Sequence, residues 1–166
     1  GIAYVTEDRK VEGFFETASI ARNLYLGLLA KFPAGRTWLS RRESNAVGKT
    51  WIERLKVRAI GDEIKVVELS GGNQQKVVIA KSLIQDPELI IFDEPTRGVD
   101  VGAIVEIHEL INKLADEGKA VVVISSYLPE IMALSDRILV CRQGRVVEEF
   151  SALEVTEEKI MYAAIH

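Results

Sequence analysis

LSGGNQQKVVIAKSLIQDPELIIFDEPTRGVD, residues Leu69 to Asp100, joins a glycine-rich helix start to an acidic strand end. Ser70 is placed to cap a helix beginning around Gly72 or Asn73. A capped start presents free backbone N–H groups and the positive end of the helix dipole, and Gly71 and Gly72, lacking a Cβ, let an anion come close. Leu89-Ile90-Ile91-Phe92 reads as a short strand buried on both faces, followed by Asp93-Glu94-Pro95, the place where α/β sheets carry their chemistry. Asp93 is suited to hold Mg2+ directly or through water, and Glu94 to orient an attacking water or accept its proton. SGG is common in turns and Asp-Glu often merely begins a solvated loop. Their joint occurrence is what points to phosphate and magnesium chemistry.

Working outward, the pattern alternates. After Leu69 it predicts a helix over 72–85, a strand over 88–93, a helix over 101–117, a strand over 119–125, a helix over 128–134, and strands over 136–142 and 145–150. That order belongs to an α/β sheet with helical crossovers. Gln143-Gly144 should close a hairpin, and 156–165 a final helix. Upstream, Ile2–Val5 reads as a strand and Thr6–Lys10 as a charged loop. Ile20, Leu24 and Leu28 recur at helical spacing behind a Ser19 cap, Phe32-Pro33-Ala34-Gly35 breaks the pattern, and a second helix is expected from Ser40 to Val57.

With 166 residues, 48% of them hydrophobic and 28% charged, the chain can bury a real core. Its 21 basic and 25 acidic residues, net −4, argue against a general nucleic-acid binder. The single Cys141 excludes an internal disulfide and, inside Ile138-Leu139-Val140-Cys141, is expected to be a buried small apolar residue. His108 lies on or beside the apolar stripe of the 101–117 helix and reads as packing or surface. No second histidine follows at the spacing of a zinc helix. No apolar stretch reaches membrane-spanning length, and the N-terminus lacks the charged start of a signal peptide.

The string from Leu69 to Asp100 resembles the signature motif, Walker B motif and D-loop of ABC-type ATPases, and GNQQK with DEPTRGVD is similar to the ribose, galactose and xylose importer branch. The resemblance implies a partial ABC-type ATPase fold, α/β and P-loop NTPase-like, with a mostly parallel sheet and a helical subdomain. Gly48-Lys49-Thr50 imitates the end of a P-loop but fails the pattern, since Glu43 stands where GxxxxGK[ST] needs its first glycine and the preceding residues are polar. The P-loop of such proteins also lies well upstream of the signature. The Walker A loop and the N-terminal lobe are therefore expected before Gly1, with residues of about 12–68 forming the helical subdomain and connection and 69–166 the signature, Walker B, D-loop and C-terminal α/β part.

By resemblance, Ser70, Gly71, Gly72 and Asn73 contact a nucleotide held by the opposing half, Asp93 serves Mg2+, Glu94 is catalytic and Asp100 is the D-loop aspartate. Glu7, in Tyr4-Val-Thr-Glu-Asp-Arg-Lys10, holds the Q-loop position, where many relatives carry glutamine; a carboxylate cannot donate the amide hydrogen bond. Arg97-Gly98-Val99 departs from the commoner serine-alanine-leucine but agrees with the sugar branch. Ser126 stands at the switch-histidine position, and a hydroxyl cannot carry an imidazolium's charge.

The implied protein is the ATP-binding subunit of a sugar importer, using ATP and Mg2+. Its expected partners are a second nucleotide-binding half and transmembrane permease subunits, with no nucleic acid, and its expected location is cytoplasmic, on the inner face of the plasma membrane. Two alternatives compete: an inert ABC interaction module, and a non-transport ABC-type ATPase acting on nucleic acid.

Overall fold

A computed structural model describes residues 1–29 and 40–166, so the Phe32-Pro33-Ala34-Gly35 breaker and residues 37–39 lie outside the described residues. The chain divides into two compact units, Gly1–Val122 and Val123–His166.

In the first unit, β1 (Ile2–Val5) runs parallel to β2 (Leu89–Asp93), with Ile2 opposite Leu89 and Val5 opposite Phe92. β3 (Ala120–Ile124) completes the sheet order β1-β2-β3. Four helices belong with these strands: α1 (Ile20–Leu29), α2 (Arg41–Arg54), α3 (Gly71–Leu83) and α4 (Val101–Asp116). The expected strand-helix order is present, with boundaries moved by one to three residues. β2 departs from expectation in one respect. Ile90 and Phe92 are fully buried, whereas Leu89 and Ile91 are half-buried, because only the face shared with Ala3 and Val5 is closed among the described residues. Burying Phe92, Ile90 and Val5 contributes about 1.5–3 kcal/mol each.

The helix starts follow local chemistry. The Ser19 hydroxyl accepts from Arg22 N–H at 3.3 Å, and the buried Asn23 amide donates to the carbonyls of Phe15, Ala18 and Ser19 while accepting from Phe15 N–H at 2.7 Å. That single side chain holds the 15–19 loop against α1. Ser40 caps α2 by accepting from Glu43 N–H at 3.3 Å. Thr6–Lys10 is only partly a loop: Asp8 accepts from Lys10 and Val11 N–H and opens a π-helical turn, Arg9–Gly13. A 3-10 turn, Val66–Glu68, leads toward α3.

Gly48-Lys49-Thr50 lies inside α2. Gly48 is buried where α2 crosses α1; a Cβ there would sit 2.9 Å from the Ala21 Cβ and 3.0 Å from its Cα. The glycine serves helix packing, and Lys49 points to solvent.

The second unit contains α5 (Leu128–Leu134), the antiparallel pair β4 (Arg137–Arg142) and β5 (Arg145–Ser151), and α6 (Glu157–Ile165). Ile138, Val140, Val155 and Ile160 form its core. Gln143 and Gly144 both have positive φ, 49° and 74°, the geometry of a two-residue hairpin turn matched to strand twist. Cys141 corrects an expectation. It is exposed, because the period-two alternation turns Ile138 and Val140 inward and a register irregularity falls between Val140 and Cys141.

Gly48→Ala should lower unfolding stability by about 1 kcal/mol, since overpacking outweighs the helix-propensity gain of an alanine. Lys49→Ala should stay within about 0.5 kcal/mol of the parent in the same urea titration.

Candidate functional site

α3 begins where the chain leaves Leu69 in an extended conformation; Ser70 sits at the N-cap position with φ −62° and ψ 156°. The first helical bond runs from Gln74 N–H to Ser70 O at 2.9 Å, so the N–H groups of Gly71, Gly72 and Asn73 precede any intrahelical acceptor. The expected side-chain cap does not form. The Ser70 hydroxyl accepts instead from the Asn73 side-chain amide at 2.9 Å, and Asn73 Oδ1 accepts from Arg58 N–H at 2.8 Å. Asn73 is thereby oriented with its donor toward Ser70, which leaves the serine proton to be given to something else.

Gly72 fixes how near α4 can come. A Cβ at Gly72 would lie 2.3 Å from the Ala103 Cβ and 3.5 Å from Asp100 Oδ2. The contact sets the start of α3 directly beside the start of α4, whose N-cap is Asp100, accepting from Ala103 N–H at 3.0 Å. A polar cleft of about 100 Å3 opens there, bordered by Arg58, Ser70, Asn73, Asp100 and Glu106.

Behind the cleft is a charged relay. Lys76, 4% exposed, donates to Glu106 Oε2 at 2.6 Å and to Lys56 O at 3.2 Å, and Arg58 reaches Glu106 Oε1 at 2.9 Å. A buried ammonium without this carboxylate would be costly. The hydrogen bond from Lys76, supported by its charge and by Arg58, holds the Glu106 carboxyl below its ordinary value.

At the carboxyl end of β2, Asp93 is half-buried and accepts from the Tyr4 hydroxyl at 2.5 Å. That bond, then loss of solvent and the Asp93 charge, raises the Tyr4 phenol above its ordinary value. Occupying Oδ2 with a donor orients the carboxylate and leaves acceptor capacity on its other oxygen. Glu94 follows with φ +46°, a left-handed conformation that a non-glycine residue adopts only when its surroundings hold it. Glu7 is exposed and ion-paired to Arg97.

Of the residues singled out from sequence, Ser70, Gly71, Gly72, Asn73 and Asp100 meet in one neighbourhood, while Asp93 and Glu94 occupy the strand end. Ser126 lies in the second unit, exposed between β3 and α5. His108 is half-buried on α4, and His166 stacks on Tyr162 with ring centroids 4.5 Å apart. Tyr4, Arg9, Arg58, Lys76 and Glu106 were missed. The signal for Lys76 was its place in a helix too apolar for one exposed face; Arg58 and Glu106 carried none. The larger cavity, about 590 Å3, belongs to the second unit between β5 and α6; Glu148 and Glu158 border it together with Arg142 and Lys159, and it has no glycine-rich helix start.

Two outcomes follow from these bonds. The Glu106 contribution to stability should be complete above its ordinary pKa of 4.5 and lost as pH falls through the lowered folded value. Glu106→Gln should therefore flatten the acid limb of a stability-versus-pH curve and cost about 1–3 kcal/mol at neutral pH, toward the low end because the carboxylate is part-exposed. In Asp93→Ala, the Tyr4 phenol should titrate lower, back toward 10.0, as read from its ring-carbon NMR shift.

Residues 1–97 match the ABC transporter family. The chain is 44% identical over 165 residues to the xylose import ATP-binding protein XylG of Yersinia pseudotuberculosis, covering 99% of this chain and 32% of that protein. It is 49% identical over 166 residues to the ribose import ATP-binding protein RbsA 2 of Agrobacterium fabrum, with the same coverage. The chain thus spans about a third of the length of these curated relatives. Among solved structures, the dimeric bacterial ABC transporter cassette MJ0796 superposes with a TM-score of 0.75 at 26% identity, over 91% of this chain and 62% of that one. This chain belongs to the ABC transporter family.

Proposed function

We propose that these residues work as the C-terminal part of the second nucleotide-binding domain in a sugar importer's ATP-binding protein. The observation that carries the reading is the packing of the α3 start against the α4 start through Gly72, with two carboxylates at the end of β2. In this reading residues of about 12–68 are the helical subdomain and connection, and 69–166 carry the signature, Walker B, D-loop and C-terminal part.

Ser70, Gly71, Gly72 and Asn73 would meet the γ-phosphate of ATP bound by an opposing half. The free N–H groups and dipole of α3 favour the anion, and the Ser70 hydroxyl, its lone pair engaged by Asn73, is available as donor. Asp93 fits Mg2+: its carboxylate is oriented by Tyr4. Among the described residues no three metal-ligating side chains gather, so the remaining ligands would be phosphate oxygens and water, the usual company of Mg2+. When bound, the ion offsets charge on the phosphates. Glu94, held by its strained backbone, would orient the attacking water and take its proton as ATP becomes ADP and phosphate. Asp100 faces the other half. Closing and opening of the paired halves would move transmembrane permease subunits at the cytoplasmic face of the plasma membrane. No helix of the described residues is long and apolar enough to cross a membrane.

In the intact ATP-binding protein, Glu94→Gln should slow ATP turnover by about a hundredfold or more. Unchanged turnover would favour the inert-module reading, which Glu7 and Ser126 support by replacing the usual glutamine and histidine. The 166 residues contain no GxxxxGK[ST] loop, so this chain by itself should bind MgATP more weakly than micromolar in isothermal titration.

A further inference from the structure

Two residues in the first unit differ from the commoner pattern of the resemblance: Glu7 where glutamine is usual, and Arg97 in the loop before Asp100. They lie 90 positions apart in sequence, and they form an ion pair. The contact does not stand alone. Arg9, whose N–H donates to Glu7 O at 3.2 Å, gives Nη1 to Arg97 O at 2.6 Å and Nη2 to Gly98 O at 3.0 Å, while its Nε reaches Gln74 Oε1 at 3.4 Å in the second turn of α3. Gly71 leaves room for this guanidinium: a Cβ there would sit 3.0 Å from Arg9 Nη2.

We propose that Glu7, Arg9 and Arg97 act together as positioning residues that tie the segment after β1 to the loop before Asp100 and to the start of α3. This rests on the ABC reading above. A part-exposed ion pair adds little to stability, so its worth lies in register. The planar Arg9 fork takes two successive carbonyls, which fixes the loop in orientation as well as distance. Glutamate at position 7 gives up amide donation but gains a partner that a glutamine would hold less strongly. Any displacement of residues 6–10 is then delivered to Asp100 and Ser70 through three side-chain links. Two sequence departures become one device.

The test is a charge-exchange cycle in the intact ATP-binding protein: Glu7→Gln, Arg97→Gln, and the double variant Glu7→Arg with Arg97→Glu, with Arg9→Lys alongside. Amide hydrogen exchange without nucleotide reads the tether. Exchange at Gly98 and Asp100 should quicken several-fold in each single variant and return to the parent rate in the exchanged pair. With MgATP, the ratio of permease-stimulated to basal hydrolysis should fall several-fold in the singles and recover in the pair. Independent, additive effects, or singles that match the parent, overturn the tether. A restored exchange rate with an unaffected stimulation ratio overturns the delivery of motion. A parent protein that hydrolyses no ATP would sink the proposed function, while the exchange measurements would still read the tether.

Discussion

The start of α3 can lie against α4 only because position 72 has no side chain. With a methyl group there, Ala103 would have to retreat, taking with it the Asp100 cap and the floor of the polar cleft. Much of the first unit is arranged around keeping α3 in that place. Ten of its residues from Gly72 to Leu83 are buried, among them Gln74, Gln75 and Lys76, so the helix is enclosed rather than laid on a surface. Enclosure raises the demand on its polar groups. Gln74 answers to the carbonyls of Val67 and Leu69 and to Arg9, and Lys76 answers to Glu106 and Lys56. The helix that presents the glycine-rich start is thus held from behind by bonds that specify its register.

The strand end is governed by different physics. β2 stops at Asp93 with its carboxylate already engaged by a phenol from the neighbouring strand, and the backbone turns through a left-handed residue at Glu94. Both features restrict how the two acids can point. A parallel pairing of β1 with β2 is what brings Tyr4 within reach: it stands opposite Ile91, two positions before Asp93. Sheet pairing therefore sets the geometry of a carboxylate 89 residues away in sequence.

Much of this was legible in advance because local rules dominate at element boundaries. The Ser19 cap, the helix starts near Ser40 and Thr156, the apolar run of β2 and the Gln143-Gly144 turn all announce themselves within a few residues. The misreadings share a cause. Ser70 has the sequence of a cap, but Asn73 three residues on competes for its oxygen, and Asn73 is itself aimed by the backbone of Arg58. Cys141 follows an apolar run, yet its face depends on strand register. Arg9 and Tyr4 act on groups nearly 90 residues distant, and no spacing rule connects them to their targets.

Lys76 carries one last consequence, for chemical footprinting. The chain has lysines in quite different settings: Lys49 and Lys113 stand in solvent, whereas the Lys76 amine is enclosed and bonded on two sides. An amine-reactive reagent meets the first two in the native state, but reaches the third only when α3 leaves its enclosure. Its modification rate is thus a built-in reporter of how often the helix bearing the glycine-rich start comes free, read without any added label.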